Sequence, residues 1–264
     1  MAALRALYVD LDNTLFGRGG SLFHDGEGKP SLLGPRAIEA CHRSGVEVVV
    51  MSGRRRSGVA VVTRMLGARS YIFEAGSCVV DGPDEEWMTE PFMPDEGPTV
   101  FAQIDATGAP KLLLDRFEIE YHAPWHLERE VSHLFRGAID VRDANALLQE
   151  HGHADVRLVD NGAIDRPGLR AYHLVPKGVS KGRAVARHMR VRGYGPEDVI
   201  AVGDSREDLT AADAVGAFWL VANAFDRDPL LAGDLPRNTR VADEGYGAGV
   251  YEAVVTELAE RRGG

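Results

Sequence analysis

Cysteine is nearly missing from this chain: 264 residues contain two, Cys41 and Cys78, far apart in sequence. That count excludes a disulfide framework or a cysteine-rich metal site, and it fits a reducing compartment. Basic charge is also scarce. Lys and Arg number 30 against 40 Asp and Glu, a formal net charge of −10, and the densest basic run, Arg54-Arg55-Arg56, is too short to make the basic face that nucleic acid needs. No apolar run approaches the roughly 18 residues of a membrane span, and no apolar segment follows a basic start at the N-terminus. Repeats and low-complexity tracts are missing as well. What remains is an acidic globular chain, 44% hydrophobic, with enough apolar side chains for a sizeable core. The expectation is a cytoplasmic protein, monomer or homodimer, that binds neither nucleic acid nor membrane.

The order of elements predicts an α/β fold. Leu4–Val9 reads as a strand, Pro35–Ser44 as a helix closed by Gly45, Val46–Met51 as a strand, Val59–Leu66 as a helix closed by Gly67, and Ser70–Phe73 as a third strand. Proline near a helix start and glycine just past its end is the expected asymmetry. Strands joined by helical crossovers imply a parallel, doubly wound sheet. The pattern then changes. A proline-rich, acidic stretch from Pro83 to Pro110 precedes a predicted strand at Lys111–His122, helices near Leu127–Phe135 and Val141–His151, and strands at Val156–Val159 and Leu169–Val175. The alternation returns at Ser180, with a helix to about Arg192, a strand at Val199–Val202, a helix to about Val215, strands at Ala217–Val221 and Thr239–Ala242, and a closing helix at Val250–Glu260. The reading is therefore a discontinuous core domain, 1–82 and 176–264, interrupted by an inserted α+β cap at 83–175.

Four separated segments carry chemistry, each after a predicted strand or at a helix start: Asp10-Leu11-Asp12, Ser52-Gly53-Arg54, Lys181, and Asp204 through Asp208. Each has a structural alternative as a turn, a cap or a solvated surface residue. Together they supply what phosphoryl transfer requires: a nucleophile, a hard cation, and cationic or N–H donors around the phosphoryl oxygens. Asp10 and Asp12 can divide labour, one attacking phosphorus and the other moving protons. Carboxylates at 10, 204 and 208 are the oxygen ligands that Mg²⁺ prefers. Ser52, the N–H groups after it, Arg54 and Lys181 can hold phosphate.

This constellation resembles the haloacid dehalogenase superfamily. Asp10-Leu11-Asp12-Asn13-Thr14 is similar to its first motif, Ser52 to the second, Lys181 to the third, and Asp204 through Asp208 to the acidic fourth. The resemblance implies a core with an inserted cap, Asp10 as nucleophile, Asp12 as general acid/base, and Mg²⁺ held by Asp10, the Asp12 carbonyl and Asp204, with Asp208 assisting. A carboxylate at position 12 favours a phosphate ester over a carbon–halogen substrate. The insert after the third strand, with Lys177-Gly178-Val179-Ser180-Lys181-Gly182, resembles the branch holding Cof-type, sucrose-phosphate and mannosyl-3-phosphoglycerate phosphatases and phosphomannomutases. The implied function is a Mg²⁺-dependent phosphatase of a sugar phosphate or glycosyl-phosphoglycerate, with a phosphomutase or a non-catalytic sugar-phosphate sensor as alternatives. Two positions depart from that branch: Glu207-Asp208 stands for Asn-Asp, and Glu74-Ala75-Gly76 for Glu-Asn-Gly. Lys177 is the weaker candidate for the third motif, because it precedes the Ser180 cap. In the insert, Lys111, Arg166, Arg170 and His173 read as surface before substrate contacts, and Trp87 and Trp125 as core before a sugar-binding face. Phe16–Leu33 reads as a glycine-bearing flap or a plain solvent loop.

Overall fold

The computed structural model describes residues 2–94, 97–164, 166, 168–233 and 235–262. The chain opens with β1 (Ala6–Val9), α1 (Leu33–Arg43), β2 (Glu47–Met51), α2 (Arg56–Met65) and β3 (Ser70–Phe73), then an antiparallel pair, β4 (Cys78–Asp81) and β5 (Asp84–Trp87). Its middle holds α3 (Val100–Ala106), α4 (Ala109–Arg116), β6 (Ile119–Tyr121), β7 (His133–Gly137), α5 (Val141–Glu150), β8 (Val156–Ala163) and β9 (Arg170–Pro176). The last part is α6 (Lys181–Arg192), β10 (Val199–Gly203), α7 (Arg206–Leu209), β11 (Ala217–Leu220), α8 (Ala224–Arg227), β12 (Thr239–Val241) and α9 (Tyr246–Arg262).

The strands form an eight-stranded sheet of order β12-β11-β10-β1-β2-β3-β4-β5 and a four-stranded antiparallel sheet of order β6-β7-β9-β8. From β12 to β3 the large sheet is parallel, as the alternating pattern implied. Strands buried on both faces read as continuous apolar runs. Leu7, Val9, Val48 and Val50 face Ala37, Ile38 and Cys41 of α1 and Val250, Ala253 and Val254 of α9. Ala6, Tyr8, Val49 and Met51 face the other way, onto Ala184, Val185 and Met189 of α6. The small sheet has its own core, with Phe135, Leu158, Tyr172 and Leu174 packed on Val100, Ile104, Leu113, Ala144 and Leu148.

The structure corrects the reading of the middle segment. Lys111–His122 is not one strand: Pro110 sits in the first turn of α4, and only β6 is extended. The expected helix at Leu127–Phe135 is absent; the chain runs irregularly to β7 because side chains elsewhere take the N–H groups of residues 130–132, as described below. β4 and β5 lie in a stretch read as cap start and loop. Their hairpin turns at Gly82 (φ 62°) and extends the large sheet, so that sheet runs to Trp87, past the expected boundary at 82. Acidic Asp84, Glu85 and Glu86 hid this strand, yet charge suits an edge, where it discourages pairing with another chain. Arg56 and Arg187 pair with Glu85 and Glu86.

Candidate active site

β10, β1 and β2 are parallel neighbours ending at one edge of the sheet, so the residues after them, Asp204, Asp10 and Ser52, converge. The Asp10 N–H donates to the Val202 carbonyl at 3.1 Å, which continues the pairing one residue beyond β1. Asn13 then takes a left-handed conformation (φ 64°), a region Asn visits more readily than most residues, and the turn brings the Thr14 hydroxyl to Asp204 Oδ1 at 3.1 Å.

Lys181 enters from the opposite side. Ser180 caps α6, accepting from the Arg183 N–H, and the next residue, Lys181, is only 1% exposed. Its Nζ donates to Asp10 Oδ1 at 2.7 Å and Asp208 Oδ1 at 2.6 Å. Lys177 is exposed, which decides between the two candidate lysines. Asp208 Oδ2 accepts from the Ser205 hydroxyl at 2.6 Å and from the N–H groups of Ser205 and Asp204, so its second oxygen shapes the turn after β10.

Carboxylate oxygens of Asp10, Asp204 and Asp208 lie within 4.8 Å of one another, and all three side chains are buried. One lysine faces three carboxylates. Burial, with the neighbouring carboxylates adding to it, pushes Asp10 well above the usual carboxylate range and Asp204 up to about 7. Burial alone would depress Lys181, but Asp10 and Asp208 hold it above its ordinary value. Uncompensated negative charge on hard oxygen donors is the environment that a small divalent cation satisfies, so these residues fit Mg²⁺. The Asp12 carboxylate lies outside that cluster. It pairs with Arg54, Nε to Oδ2 at 2.7 Å and Nη2 to Oδ1 at 2.5 Å, and its side chain is 48% exposed. Buried Asp10 and open Asp12 are thus in different electrostatic settings, as a nucleophile and a proton carrier require.

A family model for haloacid dehalogenase-like hydrolases matches residues 126–227. A phosphoglycolate phosphatase of Methanoculleus marisnigri is 29% identical over 266 residues, covering 95% of each chain. Among solved structures, the sucrose-phosphatase of Synechocystis sp. PCC6803, in complex with sucrose and phosphate, superposes with a TM-score of 0.70 at 16% identity, covering 97% of this chain and 98% of that one. In sequence and in fold the chain is similar to proteins of the haloacid dehalogenase superfamily. With its acidic motifs intact and phosphatases among its relatives, the protein is a phosphoric monoester hydrolase.

The hydrolase brings every candidate from its four motifs to one edge: Asp10, Asp12, Ser52, Gly53, Arg54, Lys181, Asp204 and Asp208. The insert's candidates scatter. Lys111 is exposed and pairs with Asp115, and Trp125 is 61% exposed. Trp87 packs edge-on to Phe73, as core. Arg170 bridges Asp160 and Asp228, whereas His173 is buried against the Gly53 loop. The Phe16–Leu33 segment is folded at the site's rim, with Gly20 (φ 71°) beside Arg54 and Asp12.

The two departures from the branch pattern also acquire roles. Glu207, pushed up to about 7 mainly by burial, accepts the Lys181 N–H at 3.2 Å and so helps seat the start of α6. Glu74, Ala75 and Gly76 all have positive φ. A Cβ on Gly76 would lie 2.2 Å from the Ser180 carbonyl oxygen, so only glycine lets this turn press against the cap of α6. Glu74 is fully buried and accepts from the N–H groups of Glu130, Val131 and Ser132 and from the Ser132 hydroxyl. Arg129, with its side chain 2% exposed, lies 3.5 Å from Glu74 and donates to the Gly53 carbonyl at 2.6 Å. Sequence reading named Glu74 only as part of the departing Glu74-Ala75-Gly76 run, without this role, and missed Arg129. The only local signal was an acid placed directly after an apolar strand.

Proposed function

We propose that the protein is a Mg²⁺-dependent phosphatase of a small phosphorylated acid, acting through an aspartyl phosphate on Asp10. The observation that carries this reading is Lys181 held between Asp10 and Asp208 in a buried carboxylate cluster, with Asp12 outside it at the solvent edge. Asp10 Oδ attacks phosphorus and the ester P–O bond breaks, while Asp12 gives its proton to the leaving oxygen. Asp12, now a carboxylate, takes a proton from water, whose oxygen attacks the phosphoryl group and frees Asp10. Lys181 keeps Asp10 oriented and offsets charge throughout. Ser52, the N–H groups of Gly53 and Arg54, and the Arg54 guanidinium bind the phosphoryl oxygens, Arg54 leaving Asp12 to do so. Mg²⁺ bound by Asp10, Asp204, Asp208 and the Asp12 carbonyl would neutralise charge on the transferring group.

For the substrate, 2-phosphoglycolate replaces the sugar phosphate as the leading candidate. The relative bearing the phosphoglycolate name spans 95% of the chain, whereas the sucrose-phosphatase shares the fold at 16% identity. Phosphate release from p-nitrophenyl phosphate and from 2-phosphoglycolate is expected to require Mg²⁺ and to stop with a chelator or with Asp10→Asn. Wild-type turnover by Asp10→Asn refutes the mechanism. A phosphomutase would instead yield isomerised sugar phosphate and little free phosphate.

A further inference from the structure

One arginine outside the four motifs touches both the nucleophile turn and the insert. Arg227, the last residue of α8, donates through Nη1 to Asn13 Oδ1 at 2.8 Å and through Nη2 to the Ala163 carbonyl at the end of β8. The insert answers from its next strand: Arg170 Nη1, on β9, donates to the Arg227 main-chain carbonyl at 3.4 Å. Arg170 is itself tied down, with Nε on Asp160 Oδ2 at 2.6 Å and Nη2 3.8 Å from Asp228 Oδ2. With the β8–β9 hairpin seated on the core, both ends of the Arg227 fork are thus committed, one to the insert and one to the turn that follows Asp12.

Asn13 gives that contact its consequence. It follows Asp12 directly and holds the left-handed conformation (φ 64°) that turns the chain toward Thr14, a region that costs free energy for any residue but glycine. Both of its oxygens are anchored: the main-chain carbonyl accepts from Asn223 Nδ2 at 2.8 Å, and Oδ1 accepts from Arg227. Asn223 is fixed in turn by the Tyr246 N–H on its Oδ1 at 2.7 Å. A guanidinium offers its N–H groups in fixed directions, so Arg227 sets the orientation of the Asn13 side chain as well as its place. The Asp12 carboxylate is held in the resting protein by Arg54. Once Arg54 turns to the phosphate, the direction of Asp12 is left to its own backbone turn, and hence to the anchors of Asn13.

We propose that Arg227 is a positioning residue for proton transfer: by holding Asn13 it aims the Asp12 carboxyl at the leaving oxygen. This rests on Asp12 as the acid in the phosphatase reading above and adds the residue that orients it. The test uses two aryl phosphates that differ in the basicity of the leaving oxygen. p-Nitrophenolate is a stable anion that departs with little help from an acid, whereas phenolate is more basic and gains more from a proton. Because kcat/KM covers every step up to departure of the aryl group, comparing the two esters reads proton donation in the full-length protein at saturating Mg²⁺. Arg227 and Asn13 are both half-buried, so water can replace the bonds that a substitution removes. Arg227→Met keeps the apolar stem without the donors. Its kcat/KM is expected to fall about 10- to 100-fold for phenyl phosphate and by less than about 3-fold for p-nitrophenyl phosphate, as for a catalytic group misplaced by on the order of 1 Å. Asn13→Gly keeps access to the left-handed turn but lacks Oδ1; it should show the same selectivity and repeats the test should Arg227→Met fail to fold. The double variant should lose no more than the larger single loss, since both substitutions break one hydrogen bond. Equal losses on the two esters, as a weakened metal site or a loosened fold would give, or additive losses in the double variant, would overturn the assignment. Asp12→Asn separates that failure from failure of the reading beneath it. If Asp12→Asn loses equally on both esters, Asp12 is not the acid and both fall; if it is selective while Arg227→Met is not, the role of Arg227 alone falls.

Discussion

Glu74→Ala tests whether one buried carboxylate joins the insert to the Ser52–Arg54 loop. In the native protein Glu74 faces Arg129 at 3.5 Å, with side-chain exposures of 0% and 2%. At that distance the attraction is ~5 kcal/mol at an effective dielectric of about 20. Removing the acid strands a buried guanidinium and three N–H groups, those of Glu130, Val131 and Ser132. Breaking a buried pair from one side costs about 3–5 kcal/mol, and water entering the gap limits the added cost of the orphaned N–H groups. At about 2–4 °C per kcal/mol for a chain of this size, the unfolding midpoint is expected to drop by roughly 10 °C. Scanning calorimetry at neutral pH with saturating Mg²⁺ reads the shift, and kcat/KM should fall with it because Arg129 also holds the Gly53 carbonyl. Glu74→Gln keeps one acceptor oxygen and should lose about half as much. A midpoint within about 2 °C of wild type for Glu74→Ala would refute the claim that Glu74 offsets a desolvated charge.

Asp10 and Asp204 are acids whose pKa rises on folding, Asp204 up to about 7. Their contribution to stability is complete below the ordinary carboxylate value of about 4 and is lost as pH climbs to about 7. The metal-free protein should therefore lose stability across that interval, and the midpoint gain from Mg²⁺ should grow from pH 5 to pH 8; a gain independent of pH would exclude these carboxylates as the ligands. Gly53→Ala leaves the backbone unstrained but drives a methyl group into His173 and Asn161. Overpacking of this kind costs about 1–3 kcal/mol, and here it is expected as a raised KM with a small change in unfolding midpoint, read by steady-state kinetics and calorimetry.

The parallel sheet was legible because its strands are short apolar runs bounded by glycine-closed helices, signals carried within each segment. The motif residues were legible for a related reason: an acid directly after such a run, as at Asp10 and Asp204, lies at the strand's carboxyl edge whatever surrounds it. The insert was read less well. Lys111–His122 and Leu127–Phe135 carry mixed periodicities, and their conformations follow from packing and from Glu74, 56 residues before Glu130. The acidic β5 was invisible because its charge is matched by Arg56 and Arg187, arginines from helices distant in sequence.

Sequence by itself determined the fold class, the parts of the site and the reaction they suit, since residue type and position after a strand are local properties. Tertiary structure decided which lysine reaches Asp10, that Asp12 stays open while Asp10 is buried, and that His173 packs against Gly53. Each of these depends on burial and on the charges brought alongside. Both are set by chain segments distant in sequence, as Asp10 and Lys181 are, 171 residues apart.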